Sequence, residues 1–190
     1  MRLIAFIEYA AVVTGIIAIL AGQYFALPKA VHLGVFLVGA GFALAGLEAF
    51  STRRMGFRAS EDAWEAYAGV PALIVGAMAL LVGAGFIAAG YAMSEGLWHT
   101  TVNYLERRPA PVLAAAGALL AGIGVLMMLN PQGRRGIAWT LLVRIPRWLL
   151  GLVVLAAGLA GIALGAWEWL EPKAFDSFAA RLPRKLEWPF

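Results

Sequence analysis

The chain contains no cysteine and little charge. The lack of cysteine excludes disulfides, thiolate metal ligands and cysteine nucleophiles. Charged residues make up 14% of the 190 residues, whereas a soluble domain has about 25%. The apolar share is 62%, and a soluble fold of this length has too little interior to bury so much apolar surface. The composition therefore predicts a protein that uses lipid as part of its solvent.

Recognisable catalytic motifs are also missing. The sequence has no Ser-His-Asp set, no His-Glu-x-x-His motif and no Walker loop, and it contains two histidines in all. We therefore expect no catalytic centre. The net charge of +4 is explained by basic loops that face anionic lipid, so no nucleic-acid partner is expected.

Five apolar segments are long enough to cross a bilayer, which needs roughly 20 helical residues. Each must be helical, because lipid offers no hydrogen-bond partner to the backbone. The segments cover approximately residues 3–22, 30–50, 70–92, 111–129 and 148–167. The sequence therefore predicts an all-α, polytopic membrane bundle over residues 1–169, followed by an amphipathic tail over residues 170–190.

The segments outside the spans carry signals for short interfacial helices. An acidic turn after Ser60 predicts a helix that carries Trp64 and Tyr67. Residues 137–145 place apolar side chains at helical spacing between arginines, which predicts a helix in the membrane interface. In the tail, one apolar helix face is formed by Phe175, Phe178, Ala179 and Leu182, with Pro183 at its end. Beyond it, Trp188 and Phe190 indicate either a docked chain end or plain anchoring in the interface.

The stretch LVGAGF occurs twice, at 37–42 and 81–86, within ten-residue segments that share eight residues. The second copy continues as GAGFIA, which matches the Gly-x-Gly-x-x-Ala pattern of dinucleotide sites. That fingerprint requires a strand before it and a helix that begins at it. Here it lies inside an apolar span, so no nucleotide is expected. The repeat arose either by duplication of a helical hairpin or by convergence of two spans that both use mainly Gly, Ala and Leu. The unmatched flanking residues favour convergence.

Glycine and alanine recur at helical spacing on several spans. In lipid there is no hydrophobic force between helices, so association depends on small residues that let backbones approach. The positions predicted to pack helices are Gly39, Ala43, Gly46, Gly76, Ala79, Gly83, Gly90, Gly117, Ala121, Gly124, Gly158, Gly161 and Gly165. The partner of these faces is either the chain itself or another chain.

Ionisable residues within the spans are few, and each is a candidate site because charge is costly in lipid. Glu8 and Glu48 fall at similar depth in an antiparallel hairpin and could form a proton or cation site. Alternatively, both reach water or a nearby arginine. His32 and His99 could ligate haem or a metal, but neither lies at a span centre, which favours incidental positions near the interface.

The span centres are otherwise nearly bare of polar groups, which disfavours a transporter or channel built from one copy. We therefore expect a non-catalytic accessory or scaffold subunit that packs against other integral membrane subunits or against copies of itself. One alternative is a small oligomeric transporter or channel that uses Glu8 and Glu48. Another is a haem- or pigment-binding subunit that uses His32 and His99. No cofactor is required, although glycine-lined grooves could admit a lipid, quinone, pigment or haem.

The basic residues bear on orientation through the positive-inside rule. A cytoplasmic N-terminus places eight basic residues inside and seven outside. The arginines of residues 130–147 lie close to span ends and favour this orientation, which leaves the C-terminus in the periplasm. A Gly/Ala-rich chain with short loops is typical of a bacterial inner membrane.

Overall fold

The computed structural model describes residues 2–58, 64–129 and 144–179. Its helices are α1 (Arg2–Tyr24), α2 (Pro28–Thr52), α3 (Val70–Ser94), α4 (Trp98–Arg107), α5 (Ala110–Leu129), α6 (Ile145–Leu170) and α7 (Pro172–Ala179). Its strands are β1 (Arg54–Arg58) and β2 (Trp64–Ala68). Five of the helices, namely α1, α2, α3, α5 and α6, are long and apolar enough to cross a membrane. The chain is thus an α-helical, multi-pass membrane protein.

Tight turns join several of the spans. Pro28 stands in the first turn of α2, where a backbone N–H would have no partner within the helix, so the N–H that proline lacks is not needed. Ala26, with φ of 52°, reverses the chain just before that helix, and Gly96, with φ of 70°, turns α3 into α4. Because such short connections reverse the chain, α1 and α2 are antiparallel neighbours.

A β-hairpin follows α2, so the prediction of a short helix that carries Trp64 and Tyr67 is wrong. β1 pairs with β2 in antiparallel register, from Arg54 opposite Ala68 to Arg58 opposite Trp64. Arg53 adopts a left-handed conformation that ends α2. Its carbonyl then accepts a hydrogen bond of 2.9 Å from the N–H of Gly69. This bond closes the base of the hairpin, so the chain continues as paired strands, for which its aromatic residues are well suited. Ser60 lies outside the described residues.

Two short helices lie on the side of the protein opposite the β-hairpin, which we call the α4 side. The sequence pattern does not specifically indicate α4. The helix α7 corresponds to the predicted apolar tail helix. Its residues Phe175 and Phe178 contact Trp167 of α6, with ring centroids 5.9 and 5.2 Å apart. These contacts hold α7 against the end of α6. The interfacial helix predicted around residues 137–145, as well as Leu182, Pro183, Trp188 and Phe190, falls largely or wholly outside the described residues.

The spans form an open row in chain order. Over the described residues, α1 contacts only α2, α2 lies between α1 and α3, and α5 pairs extensively with α6. The link between α3 and α5 is much looser. Each tight pairing therefore joins neighbours in the chain, as expected when short loops connect antiparallel helices. The row has two end helices, α1 and α6, each with one tightly packed partner.

Reciprocal glycine pairs hold the neighbouring spans together. A Cβ atom added to any of these glycines would lie 2.6–3.1 Å from the carbonyl oxygen of its partner. The pairs are Gly15 with Gly34, Gly39 with Gly83, Gly46 with Gly76, Gly117 with Gly158, and Gly124 with Gly151. Successive pairs on one seam are seven residues apart, which keeps them on one face of each helix. No side chain larger than hydrogen fits at these positions without separating the helices.

The two LVGAGF copies pack against each other. Gly39 of the first copy pairs with Gly83 of the second, and the rings of Phe42 and Phe86 stack with centroids 6.3 Å apart. At this point of the antiparallel α2–α3 pair, equivalent residues of the two copies therefore meet. The repeat is therefore a packing surface whose partner is its own second copy.

Gly83 and Gly85 of the second copy provide a matched test of this packing. We expect Gly83→Ala to lower the free energy of unfolding by about 1–3 kcal/mol, because the methyl group has no space against α2. At Gly85, no atom of the described residues lies within 4 Å of an added Cβ. Gly85→Ala should therefore be neutral or stabilising by up to about 1 kcal/mol, since alanine is the better helix former. Equilibrium unfolding in mixed micelles measures both, and equal effects would contradict the packing.

Candidate functional site

The predicted packing residues lie on two helix seams. The α2–α3 seam contains Gly39, Ala43, Gly46, Gly76, Gly83 and Gly90. The α5–α6 seam contains Gly117, Ala121, Gly124, Gly158, Gly161 and Gly165. Ala79 is buried on α3. Gly15 and Gly34, which join α1 to α2, are missing from the prediction. The structure thus uses the predicted positions within the chain.

Glu8 and Glu48 lie side by side at the hairpin side of the row, the side that carries β1 and β2. Their carboxyl groups are close enough to interact. The seam between α1 and α2 sets this position, because a Cβ on Gly41 would lie 3.1 Å from the carbonyl oxygen of Glu8, and Glu48 follows Gly41 by seven residues. Oε1 of Glu8 is buried and has no hydrogen-bond partner among the described residues. Two facing carboxyl groups of this kind are suited to sharing a proton or binding a cation.

The two histidines lie on helices that do not contact each other. His32 is near the start of α2 and His99 is near the start of α4, and no α2–α4 contact is present in the described parts of the chain. No group of three histidine, aspartate or glutamate residues in those parts could hold a metal ion. The structure therefore does not bring His32 and His99 together as a ligand pair.

A pocket on the α4 side was not anticipated from the sequence. It has a volume of about 580 Å³ and lies where α4, α5, α6 and α7 meet. The first turns of α5 and the last turns of α6 supply mostly apolar walls, including Pro111 and Ile162. Tyr104, Arg108 and Glu168 also line it and carry polar groups. We call this cavity the Arg108–Glu168 pocket.

Glu168 is the one buried charged residue in the described chain, with 2% of its surface exposed. Its Oε2 atom has no hydrogen-bond partner among the residues described. The α5–α6 seam explains its burial, because a Cβ on Gly165 would lie 2.7 Å from the carbonyl oxygen of Ala110. This close approach places the next turn of α6, with Glu168, against the beginning of α5. Burial of an unpaired carboxyl group is costly, so a group from outside the described chain is expected to satisfy Oε2.

Arg108 brings a positive charge to the same pocket. It ends α4, where its backbone N–H donates a 2.8 Å hydrogen bond to the carbonyl oxygen of Tyr104. The Nη1 atom is buried and makes no hydrogen bond within the described residues. The Oδ2 atom of Asp176 on α7 lies 3.9 Å from Nη1, which makes an ion pair but not a hydrogen bond. The guanidinium therefore retains an unfilled donor.

Comparison with known proteins gives no guide to this pocket. No family model, characterised protein or solved structure matches the chain. The sequence itself contains a weak signal: the stripe of Gly151, Gly158 and Gly165 continues directly to Glu168 on the same helix. An acidic residue one turn beyond a packing glycine is expected near the seam. Its burial, however, also depends on how α4 and α7 close the end of that seam.

Proposed function

We propose that the protein is a non-catalytic accessory subunit that binds a transmembrane helix of another integral membrane protein. The observation that carries this proposal is an unfilled glycine face on α3. We call Ala84, Gly85 and Ala88, which share one side of the helix and are all exposed, the open α3 face. Glycine exposed to lipid offers a surface to which a second backbone can approach closely.

The internal repeat shows what such a face can hold. In the first LVGAGF copy, Gly39 packs on α3 and Gly41 packs on Val12 of α1. In the second copy, Gly83 packs on α2, but no part of the described chain lies within 4 Å of an added Cβ at Gly85. The position on α3 that is equivalent to the α1-binding position on α2 is therefore unfilled. This supports the binding of one further helix.

The helix α5 leaves the open α3 face uncovered. Its contact with α3 includes Gly122, which lies against Met78 and Ile74 in the first half of α3. The open α3 face begins farther along the helix. A partner helix bound at Gly85 would thus lie between the second half of α3 and the α5–α6 pair. The open row also favours an accessory role, because helices that pack only with chain neighbours enclose no path across the membrane.

A single-cysteine experiment tests this proposal, since the chain is free of cysteine. We expect Gly85→Cys, labelled with a thiol-reactive photo-cross-linker, to cross-link in native membranes at a higher yield than Ala160→Cys labelled in the same way, a control on the exposed surface of α6. Gly85→Leu should reduce co-purification of the cross-linked partner at least tenfold, whereas Ala160→Leu should leave it unchanged. A product of twice the 20.2 kDa mass identifies the partner as a second copy. Equal cross-linking at the two sites would refute the proposal.

A second candidate function rests on the contact between Glu8 and Glu48. We propose that an oligomer of the chain could use this pair for proton or cation transfer. The buried and unpartnered Oε1 atom of Glu8 supports it, because an intramembrane carboxyl group of this kind is typical of ion pathways. Arg53 and Arg54 form no salt bridge with either glutamate in the described structure.

Flux measurements distinguish this candidate. In liposomes that contain the purified protein, Glu8→Gln and Glu48→Gln should each lower proton or cation flux by tenfold or more, because each removes one of the paired carboxyl groups. Glu95→Gln, an exposed substitution on the α4 side, is the control and should retain full flux. Absence of flux from the unaltered protein would remove this candidate.

We further propose a bacterial inner-membrane location with a cytoplasmic N-terminus and a periplasmic C-terminus. The arginines of residues 130–147 support this orientation through the positive-inside rule. A C-terminal alkaline phosphatase fusion should be active, and a C-terminal green fluorescent protein fusion should be dark, because these reporters work on opposite sides of that membrane. The reverse result would establish the opposite orientation.

A further inference from the structure

We propose that the Arg108–Glu168 pocket binds a phospholipid whose headgroup carries a primary ammonium next to its phosphate. The inference rests on the unfilled donor and acceptor in this pocket, and it is independent of the open α3 face. The pocket combines a cavity, a buried carboxyl group without a partner and a guanidinium with a free donor. A ligand of this pocket must therefore fit the cavity, donate a hydrogen bond to Glu168 and accept one from Arg108.

The position of the pocket points to a lipid. It lies at the beginning of α5 and the end of α6, which are the ends of two membrane-spanning helices. The short helices α4 and α7 flank it on the same side. Its polar groups are thus at the depth of lipid headgroups, while walls such as Pro111 and Ile162 lead toward the hydrocarbon region. A cavity of about 580 Å³ is within the size range of small-molecule sites.

The charges of the pocket select the headgroup. Oε2 of Glu168 requires a hydrogen-bond donor, and Nη1 of Arg108 requires an acceptor. An anionic headgroup without a cation would satisfy Arg108 but place like charge beside Glu168. A cationic amphiphile would satisfy Glu168 but leave Arg108 unfilled. A phosphate adjacent to a primary ammonium satisfies both groups.

The ammonium must carry hydrogen atoms. A primary ammonium can donate N–H bonds to the buried carboxylate, and such charge-assisted hydrogen bonds are the stronger kind. The quaternary ammonium of a choline headgroup has no N–H and cannot fill the acceptor on Glu168. The Oδ2 atom of Asp176, 3.9 Å from Nη1 of Arg108, balances part of the positive charge. It does not occupy the hydrogen-bond donor of Nη1. The pocket should therefore discriminate phosphatidylethanolamine from phosphatidylcholine.

Native mass spectrometry of the full chain, delipidated in detergent and offered matched amounts of the two lipids, tests the proposal. We expect a preference for phosphatidylethanolamine of about tenfold, the value of one hydrogen bond to a charged group. Glu168→Gln should remove most of this preference. Arg108→Gln should weaken binding of both lipids, because both carry the phosphate. Glu171→Gln, which changes an exposed acid just beyond the end of α6, should change neither.

Several results would overturn the inference. Equal binding of the two lipids to the unaltered protein would show that the ammonium hydrogens are not recognised. An equal loss of preference in Glu168→Gln and Glu171→Gln would show a general charge effect. Soluble phosphoethanolamine, which lacks acyl chains, should compete poorly. If it competed as well as the lipid, the ligand would be a free headgroup, and the lipid assignment would be wrong.

Discussion

The close approach of glycine to a carbonyl oxygen across neighbouring helices is the contact on which the rest of the structure depends. In lipid, apolar side chains gain little by leaving one apolar surface for another, so helix association rests on how closely backbones approach. At Gly117 and Gly158, an added Cβ would lie 2.6 Å from the partner's carbonyl oxygen. Such pairs occur on three seams, and on two of them, α2–α3 and α5–α6, they repeat at a spacing of seven residues. Short loops restrict each seam to chain neighbours, and an open row results.

Both proposed binding surfaces lie where this glycine packing stops. On α3, the second LVGAGF copy has one glycine engaged with α2 and one, Gly85, unengaged. On α6, the glycine stripe ends at Gly165, and Glu168 follows it into a pocket closed by α4 and α7. The first surface is apolar and suited to a helix. The second combines mostly apolar walls with the charged groups of Arg108 and Glu168 and is suited to a lipid, so the two proposals concern different partners.

The ionisable groups are separated to the two ends of the spans. Glu8 and Glu48 meet on the hairpin side, whereas Arg108 and Glu168 lie on the α4 side. Between them, the described span centres consist mainly of glycine, alanine and aliphatic residues. Both pairs thus lie toward span ends rather than at span centres, where a charge is most costly.

The sequence by itself determines the five apolar helices, the glycines available for packing and the absence of a nucleotide fold around GAGFIA, because these follow from segment length, composition and the lack of hydrogen-bond partners in lipid. It does not determine that Trp64 and Tyr67 lie in a strand, since strand formation depended on pairing with β1. Only the tertiary structure decides that Gly39 meets Gly83 while Gly85 meets nothing, and that Glu168 is buried. A small residue or a carboxyl group has the same local signal whichever neighbour it faces, and that neighbour is set by how the helices are placed.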